Sequence, residues 1–110
     1  MVLRPLSGLF EYPGRRGREY SEGAMPTIGR IGSLDVMIFR NDHDPPHFHV
    51  IGAEFSAKFT IADFALLSSK GRIRRRDLRD IEEWGQNHQT ALHLNRRLAR
   101  AGKPPQKIVD

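Results

Sequence analysis

The hydrophobic residues of this 110-residue sequence change their period once, near residue 75. Before that point, short apolar runs and stretches that alternate apolar with polar residues are typical of β-strands. After it, apolar residues recur every three or four positions, as in an amphipathic helix. Because strands come first and a helix last, the sequence predicts one α+β domain. In it, a small antiparallel sheet of three to four strands packs against one long C-terminal amphipathic helix.

The predicted strands differ in how they meet solvent. They span residues 34–40, 47–51, 55–61 and 64–67. The first is apolar on both faces, as in a strand inside a sheet. The third alternates apolar with polar residues, which indicates one buried and one wet face. Gly52 and Ala53 separate the second strand from the third and predict a hairpin between them. The short fourth strand is expected to end in a loop at 68–71.

One long helix is predicted from about Arg75 to residue 101. Its apolar stripe consists of Leu78, Ile81, Trp84, His88, Ala91, Leu92, Asn95 and Leu98. Gly102 and Pro104 follow as stop signals. Trp84 has the largest apolar area on the stripe, so we expect it to anchor the helix against the sheet. Gly85 costs about 1 kcal/mol relative to alanine inside a helix. It indicates either the close approach of another segment or a tolerated defect.

Residues 1–24 are rich in glycine and proline and show no sustained period. They predict a loosely ordered extension ahead of a domain at 25–110. The longest apolar runs fall far short of the roughly 20 residues that span a bilayer, so no membrane partner is expected. The absence of cysteine excludes disulfides, thiolate metal sites and cysteine nucleophiles. These features together predict a cytoplasmic protein.

The formal net charge is +5, and the positive charge is concentrated at the start of the last third of the chain. The predicted nucleic-acid-binding residues are Arg72, Arg74, Arg75, Arg76 and Arg79. A clustered basic face attracts polyanions, so RNA, DNA or an acidic protein is an expected partner. No obvious N-cap residue precedes the arginine run, and free helix amides beside arginines would form an anion site. The alternative is a solvated helix face.

Three of the five histidines lie within residues 43–49, where two consecutive prolines stiffen a turn that enters a predicted strand. Side chains two positions apart on a strand share a face, so His47 and His49 should point the same way. The turn would bring His43 alongside them. These three histidines are the predicted catalytic residues.

Three interpretations of the histidines stay open. Two imidazoles on one face can act as general acid and general base near neutral pH. Three can ligate a divalent metal, with Asp42 or Asp44 completing the site, although no metal and no other cofactor is assigned. In the third interpretation the histidines are structural, half-buried and hydrogen-bonded to neighbouring carbonyls.

The histidine segment carries a resemblance to a known family. Its string Pro-Pro-His-Phe-His-Val at 45–50, with a later helix that contains Glu83 and Trp84, resembles the bacterial domain-of-unknown-function family 4160. The resemblance covers about residues 25–108. It implies no activity, but members are often encoded beside a second small domain, an arrangement similar to toxin–antitoxin cassettes. The departures from the family pattern lie at 51–53 and 72–76.

The function expected from these features is a small nucleic-acid-interacting component of a two-gene, toxin–antitoxin-like module, with a cognate small protein encoded nearby. In its catalytic form it is a ribonuclease whose basic residues hold phosphates while histidines transfer protons at the scissile bond. One alternative is a non-catalytic protein-binding module with structural histidines. Another is a metal-dependent hydrolase that uses the histidine cluster, although the sequence has no second acidic cluster of the kind that a two-metal nuclease requires.

Overall fold

The computed structural model of the protein describes residues 27–109, so the predicted extension at 1–24 lies outside the described residues. The strands are β1 (Gly29–Ile31), β2 (Leu34–Met37), β3 (His47–Ile51), β4 (Phe55–Thr60) and β5 (Leu66–Gly71). The helices are α1 (Arg75–Asn87) and α2 (Gln89–Arg100). The predicted α+β class is confirmed. Neither of these helices combines the length and the apolar character that crossing a membrane requires.

The strands form one antiparallel meander in which each strand pairs with the next along the chain. Opposite residues of paired strands point to the same face, so the register divides the sheet into two faces. The buried side chains of one face, called the core face here, are Val36, Phe48, Val50, Ala57 and Phe59. The other face, called the polar face, carries His47, His49, Ser56, Lys58 and Thr60. The predicted alternation of β4 is thereby confirmed.

Both helices pack on the core face. Ile81 and Trp84 of α1, and Leu92 and Ala99 of α2, belong to the same buried cluster as the strand residues. Trp84 is only 7% exposed. Its ring lies so close to Gly29 of β1 that a β-carbon at that position would be 2.8 Å from Trp84 Cζ2. The predicted anchor is therefore confirmed, and the contact requires a glycine in the edge strand.

The C-terminal region consists of two helices rather than the single long helix predicted. The break is at His88, whose backbone angles of φ −128° and ψ 22° leave the helical range. Immediately after it, the side-chain amide of Gln89 donates hydrogen bonds to the carbonyls of Ile61 (2.7 Å) and Ala62 (3.0 Å). These bonds hold the first residue of α2 against the turn that follows β4. The apolar stripe continues through the break, so the hydrophobic period does not reveal it.

Five strands are present in the described range, where three to four were predicted. The pattern of residues does not reveal β1 because that strand is only three residues long. Gly32 and Ser33 join it to β2 in a tight turn, and Gly32 has a left-handed backbone at φ +60°. The strand β5 includes the segment 68–71 that was predicted as a loop. All six residues of β5 are exposed, since it is an edge strand, and it therefore has no buried face to mark it in the sequence.

Asn95 of α2 holds the segment that follows the helix. This residue is 1% exposed; its Oδ1 accepts a hydrogen bond from the Gln106 amide at 2.8 Å. Its Nδ2 donates to the carbonyls of Gln106 (2.9 Å) and Ala91 (3.0 Å). Further on, the Ile108 amide donates to the Ile28 carbonyl at 2.7 Å. The polar end of Asn95 is thus satisfied inside the core, as a buried amide requires.

Gly85 is the point at which α1 meets Phe64. A β-carbon at position 85 would lie 2.5 Å from Cε1 of the Phe64 ring. Phe64 has a left-handed backbone at φ 60°, and its ring packs edge-on against Phe48. Of the two interpretations of Gly85, the close approach of another segment is confirmed.

Gly85→Ala is expected to lower the free energy of unfolding by up to about 2 kcal/mol, measured by urea denaturation. Overpacking against Phe64 should outweigh the roughly 1 kcal/mol that the higher helix propensity of alanine supplies. Gln86→Ala, at the exposed neighbouring position, is the matched control and should change stability by less than about 0.5 kcal/mol. Adding Phe64→Leu to Gly85→Ala should recover part of the loss. A gain in stability from Gly85→Ala alone would contradict the packing described here.

Candidate functional site

His47 and His49 lie on the polar face of β3, side by side as predicted. Their ring centroids are 5.2 Å apart. His47 is buried and His49 half-buried, although the helices pack on the opposite face. The loop 38–46 covers them. It begins early because β2 ends at Met37 rather than at the predicted residue 40. In this loop the Phe39 ring packs against the His49 ring, with the two ring centroids 4.3 Å apart.

Asp42 of the same loop joins the two histidines. Its carboxylate oxygens lie 3.1 and 3.2 Å from Nε2 of His49, and Oδ1 lies 3.4 Å from Nε2 of His47. Oδ2 also accepts a hydrogen bond from the backbone amide of Phe39 at 3.1 Å, which orients the carboxylate. The ligand atoms of Asp42, His47 and His49 all lie within 4.8 Å of one another. We call these three residues the Asp-His-His cluster.

The hydrogen bonds of His47 determine which of its ring nitrogens is free. Nδ1 lies 2.8 Å from the carbonyl oxygen of Pro45 and must donate, because a carbonyl only accepts. In the neutral ring, Nε2 then carries a lone pair and no proton. Nε2 is buried, has no hydrogen-bond partner among the described residues, and faces a carboxylate oxygen of Asp42. Two acceptors that face each other in a buried site repel unless a cation, a proton or a bridging donor such as water lies between them.

Asp42 and His49 have the net charges that metal ligation requires, an ionised carboxylate and a neutral imidazole, although the proton of His49 lies on the nitrogen that faces Asp42. Burial by itself would raise the pKa of Asp42, but the hydrogen bonds that it accepts from His49 and from the Phe39 amide help to lower it overall. Burial lowers the pKa of His49, and the hydrogen bond and charge of Asp42 oppose this only in part. The carboxylate is therefore ionised and the His49 ring neutral near pH 7, with Nε2 of His49 donating to Asp42.

The structure does not bring His43 into the cluster. His43 is exposed, and the group of metal-ligand atoms found within residues 27–109 does not include it. Asp44 is also directed elsewhere: it forms an ion pair with Arg96 of α2 at 2.6 Å. Of the two carboxylates considered as a completing ligand, Asp42 therefore takes that place. The predicted set of three histidines becomes two histidines and one carboxylate.

The spacing of the Asp-His-His cluster suits a divalent transition-metal ion. Ligand bonds of about 2.0–2.2 Å in a tetrahedral arrangement place the ligand atoms about 3.3–3.6 Å apart. The two separations that involve Asp42, 3.1 Å to His49 and 3.4 Å to His47, are in or near this range, and all three ligand atoms lie within 4.8 Å of one another. The bond from Nδ1 of His47 to a backbone carbonyl is also the usual second contact of a metal-bound histidine. Three ligands would leave a fourth position open.

The arginines predicted to bind nucleic acid, from Arg72 to Arg79, are exposed after β5 and on the first turns of α1. Arg74 is the N-cap residue of α1 and pairs with Glu54 at 3.0 Å. The carboxylate of Asp77 accepts a hydrogen bond from the Arg74 amide at 3.0 Å, which is one half of a capping box. The side chain of Arg74 makes no cap hydrogen bond, in agreement with the expected lack of an N-cap residue. Asp77 satisfies the Arg74 amide alone.

Comparison with known proteins assigns the family. The family model described as Domain of unknown function (DUF4160) matches residues 34–95, a range that contains the whole Asp-His-His cluster. No curated protein and no solved structure matches the chain. Because the matched range covers more than half of the sequence, and in agreement with the resemblance seen in the histidine segment, this protein belongs to the DUF4160 family.

Proposed function

We propose that this protein binds one divalent transition-metal ion through Asp42, His47 and His49 and uses it to activate water for hydrolysis. The observation that carries the proposal is Nε2 of His47. The residue is only 6% exposed, and the atom lacks a hydrogen-bond partner within the described part of the chain. It also lies 3.4 Å from an oxygen of Asp42. A metal ion bound by both groups would satisfy the lone pair and the carboxylate together.

The ligand atoms favour a particular class of metal. Two imidazole nitrogens and one carboxylate oxygen suit zinc and the neighbouring first-row divalent ions. Magnesium and calcium prefer oxygen ligands throughout, so they fit this cluster less well. In the described structure Nε2 of His49 donates to Asp42, and ligation through that atom would move its proton to Nδ1.

The number of protein ligands favours a catalytic role. Structural zinc sites have four protein ligands, whereas catalytic sites keep one position for water or substrate. A divalent ion in the cluster would act as a Lewis acid and lower the pKa of a bound water toward about 7. Asp42, His47 and His49 would hold and orient that ion, and the loop 38–46 would shield one side of it. A single-metal hydrolase does not need the second acidic cluster that the sequence lacks.

Titration of the full-length protein with Co²⁺, followed by visible absorption, tests this proposal. We expect one equivalent to bind with the intense spectrum of four-coordinate cobalt. His47→Ala should weaken binding by more than about 100-fold, since the loss of a supporting second-shell contact alone costs about 10–100-fold. His43→Ala removes an exposed imidazole from the same loop and is the matched control. It should leave the dissociation constant within about twofold of the wild-type value.

A second variant is needed because His47→Ala removes a buried ring and could unfold the protein. His47→Gln keeps a polar side chain of similar length, and circular dichroism establishes that each variant is folded. If the folded wild-type protein binds no cobalt at neutral pH, the proposal is overturned, and Asp42, His47 and His49 are a structural cluster.

A further inference from the structure

Lys58 lies next to the Asp-His-His cluster on the polar face. In the register of β3 and β4 it is directly opposite His49. Opposite residues of antiparallel strands have β-carbons about 4.5–5.5 Å apart, so the Lys58 side chain starts beside the His49 ring. Its positive charge adds to the burial that lowers the pKa of His49.

The charge of Lys58 is not neutralised by the residues that the structure describes. The ion pairs found between residues 27 and 109 do not include Lys58, and its side chain is exposed. The carboxylate of the site, Asp42, already accepts hydrogen bonds from His49 and from the Phe39 amide. The other residues in the same cross-strand row are Met37 and Ser68, both uncharged. Within residues 27–109, Lys58 is therefore a cation without a paired carboxylate, beside a partly buried site.

A divalent ion in the cluster and the ammonium group of Lys58 would be two neighbouring positive groups that bind different oxygens of a ligand. Such an ion would bind one oxygen of a ligand, and the ammonium group would bind a second, negatively charged oxygen of the same molecule. A phosphate group supplies several such oxygens, and lysine binds phosphate as a compact point charge. Such clamps of metal and lysine stabilise transferring phosphoryl groups.

We propose that the metal ion of the Asp-His-His cluster and Lys58 together bind a phosphate group, so that the substrate is a phosphate ester. This inference rests on the proposed function, because without the metal the second cation is missing. In the reaction, the oxygen of water bonds to phosphorus and the bond from phosphorus to the ester oxygen breaks. The leaving oxygen takes a proton that water has released. Lys58 is a binding residue in this scheme and transfers no proton.

The experiment uses the cobalt-loaded full-length protein and follows the cobalt spectrum as anions are added. Inorganic phosphate represents a phosphomonoester, and dimethyl phosphate represents a phosphodiester such as a nucleic-acid backbone. Lys58→Met should raise the dissociation constant of the bound anion about tenfold or more, because a charged hydrogen-bond donor is lost. It should change cobalt affinity by less than about threefold. Lys70→Met is the matched control, since Lys70 lies opposite Ser56, one row farther from His49 on the same face.

The outcomes separate this inference from the proposed function. A spectral response to either anion that Lys58→Met weakens and Lys70→Met leaves unchanged supports a phosphate site, and the better-bound anion identifies the ester. Cobalt binding without a response to either anion overturns the phosphate inference and leaves the metal site intact. Equal anion affinity in Lys58→Met and wild type also overturns the phosphate inference and leaves the metal site intact. Failure to bind cobalt overturns the proposed metal-dependent function and the phosphate inference together.

Discussion

Zinc at about a thousand times its dissociation constant is expected to raise the free energy of unfolding by about 4 kcal/mol. The physical reason is linkage: the folded chain brings Asp42, His47 and His49 together, whereas the unfolded chain does not hold them as a site. Urea denaturation at neutral pH, with zinc or with a chelator, measures the difference. Asp42→Asn should remove most of this stabilisation, because an amide is a much weaker metal ligand than a carboxylate.

The control for Asp42→Asn is Asp44→Asn. Asp44 is the other carboxylate within the loop 38–46, but it pairs with Arg96 and not with the histidines. Its replacement should leave the zinc-dependent gain within about 0.5 kcal/mol of the wild-type value. Equal stabilisation of wild type and Asp42→Asn by zinc would show that the ion binds elsewhere on the chain.

Trp84→Ala is expected to lower the free energy of unfolding by about 3–5 kcal/mol, the usual cost of removing a buried aromatic side chain. The loss should be large here because Trp84 connects α1 to the edge strand β1 through its contact with Gly29. Since small domains have a total stability of only about 5–15 kcal/mol, the variant should unfold at a much lower urea concentration. Tryptophan emission is lost with the residue, so circular dichroism is the measurement.

Two further variants distinguish the packing of Trp84 from a general effect of truncation on α1. Leu78→Ala removes an apolar side chain from the same helix, but Leu78 is 37% exposed, and its loss should cost about 1 kcal/mol or less. Trp84→Phe keeps a ring in the core and removes a buried indole N–H that has no hydrogen-bond partner in the described structure. It should cost clearly less than Trp84→Ala. Near wild-type stability of Trp84→Ala would mean that α1 is held mainly by other contacts.

The candidate site shows how far local sequence reasoning extends. That His47 and His49 share a face follows from the two-residue period of a strand, and the structure agrees. The choice of third partner does not follow from any period. His43, Asp42 and Asp44 are neighbours in one loop, and only the path of that loop over β3 directs Asp42 inward and leaves His43 exposed.

The position of Lys58 beside His49 also could not be predicted from the sequence. In the sequence Lys58 is one polar residue of an alternating strand, and the wet face of that strand is all that the alternation predicts. Its position beside His49 depends on the register of β3 and β4, in which His49 pairs with Lys58. The Gly52 and Ala53 turn predicts that the two strands pair, but the exact turn geometry sets which residues are opposite. A register shifted by two residues would have placed another side chain there.

The sequence by itself determined the class of the fold, the hairpin of β3 and β4, the two faces of the sheet and the position of Trp84 on the buried stripe. These features follow from backbone periods of 2 and 3.6 residues combined with the burial of apolar surface, which act within short stretches of chain. Only the tertiary structure decided the break at His88, the exposed edge strand β5 and the selection of Asp42. Each of these depends on hydrogen bonds between separate segments or on a strand's place in the sheet, such as the bonds from Gln89 to Ile61 and Ala62. Such contacts leave no periodic trace in the sequence, because their energy depends on where the rest of the chain lies.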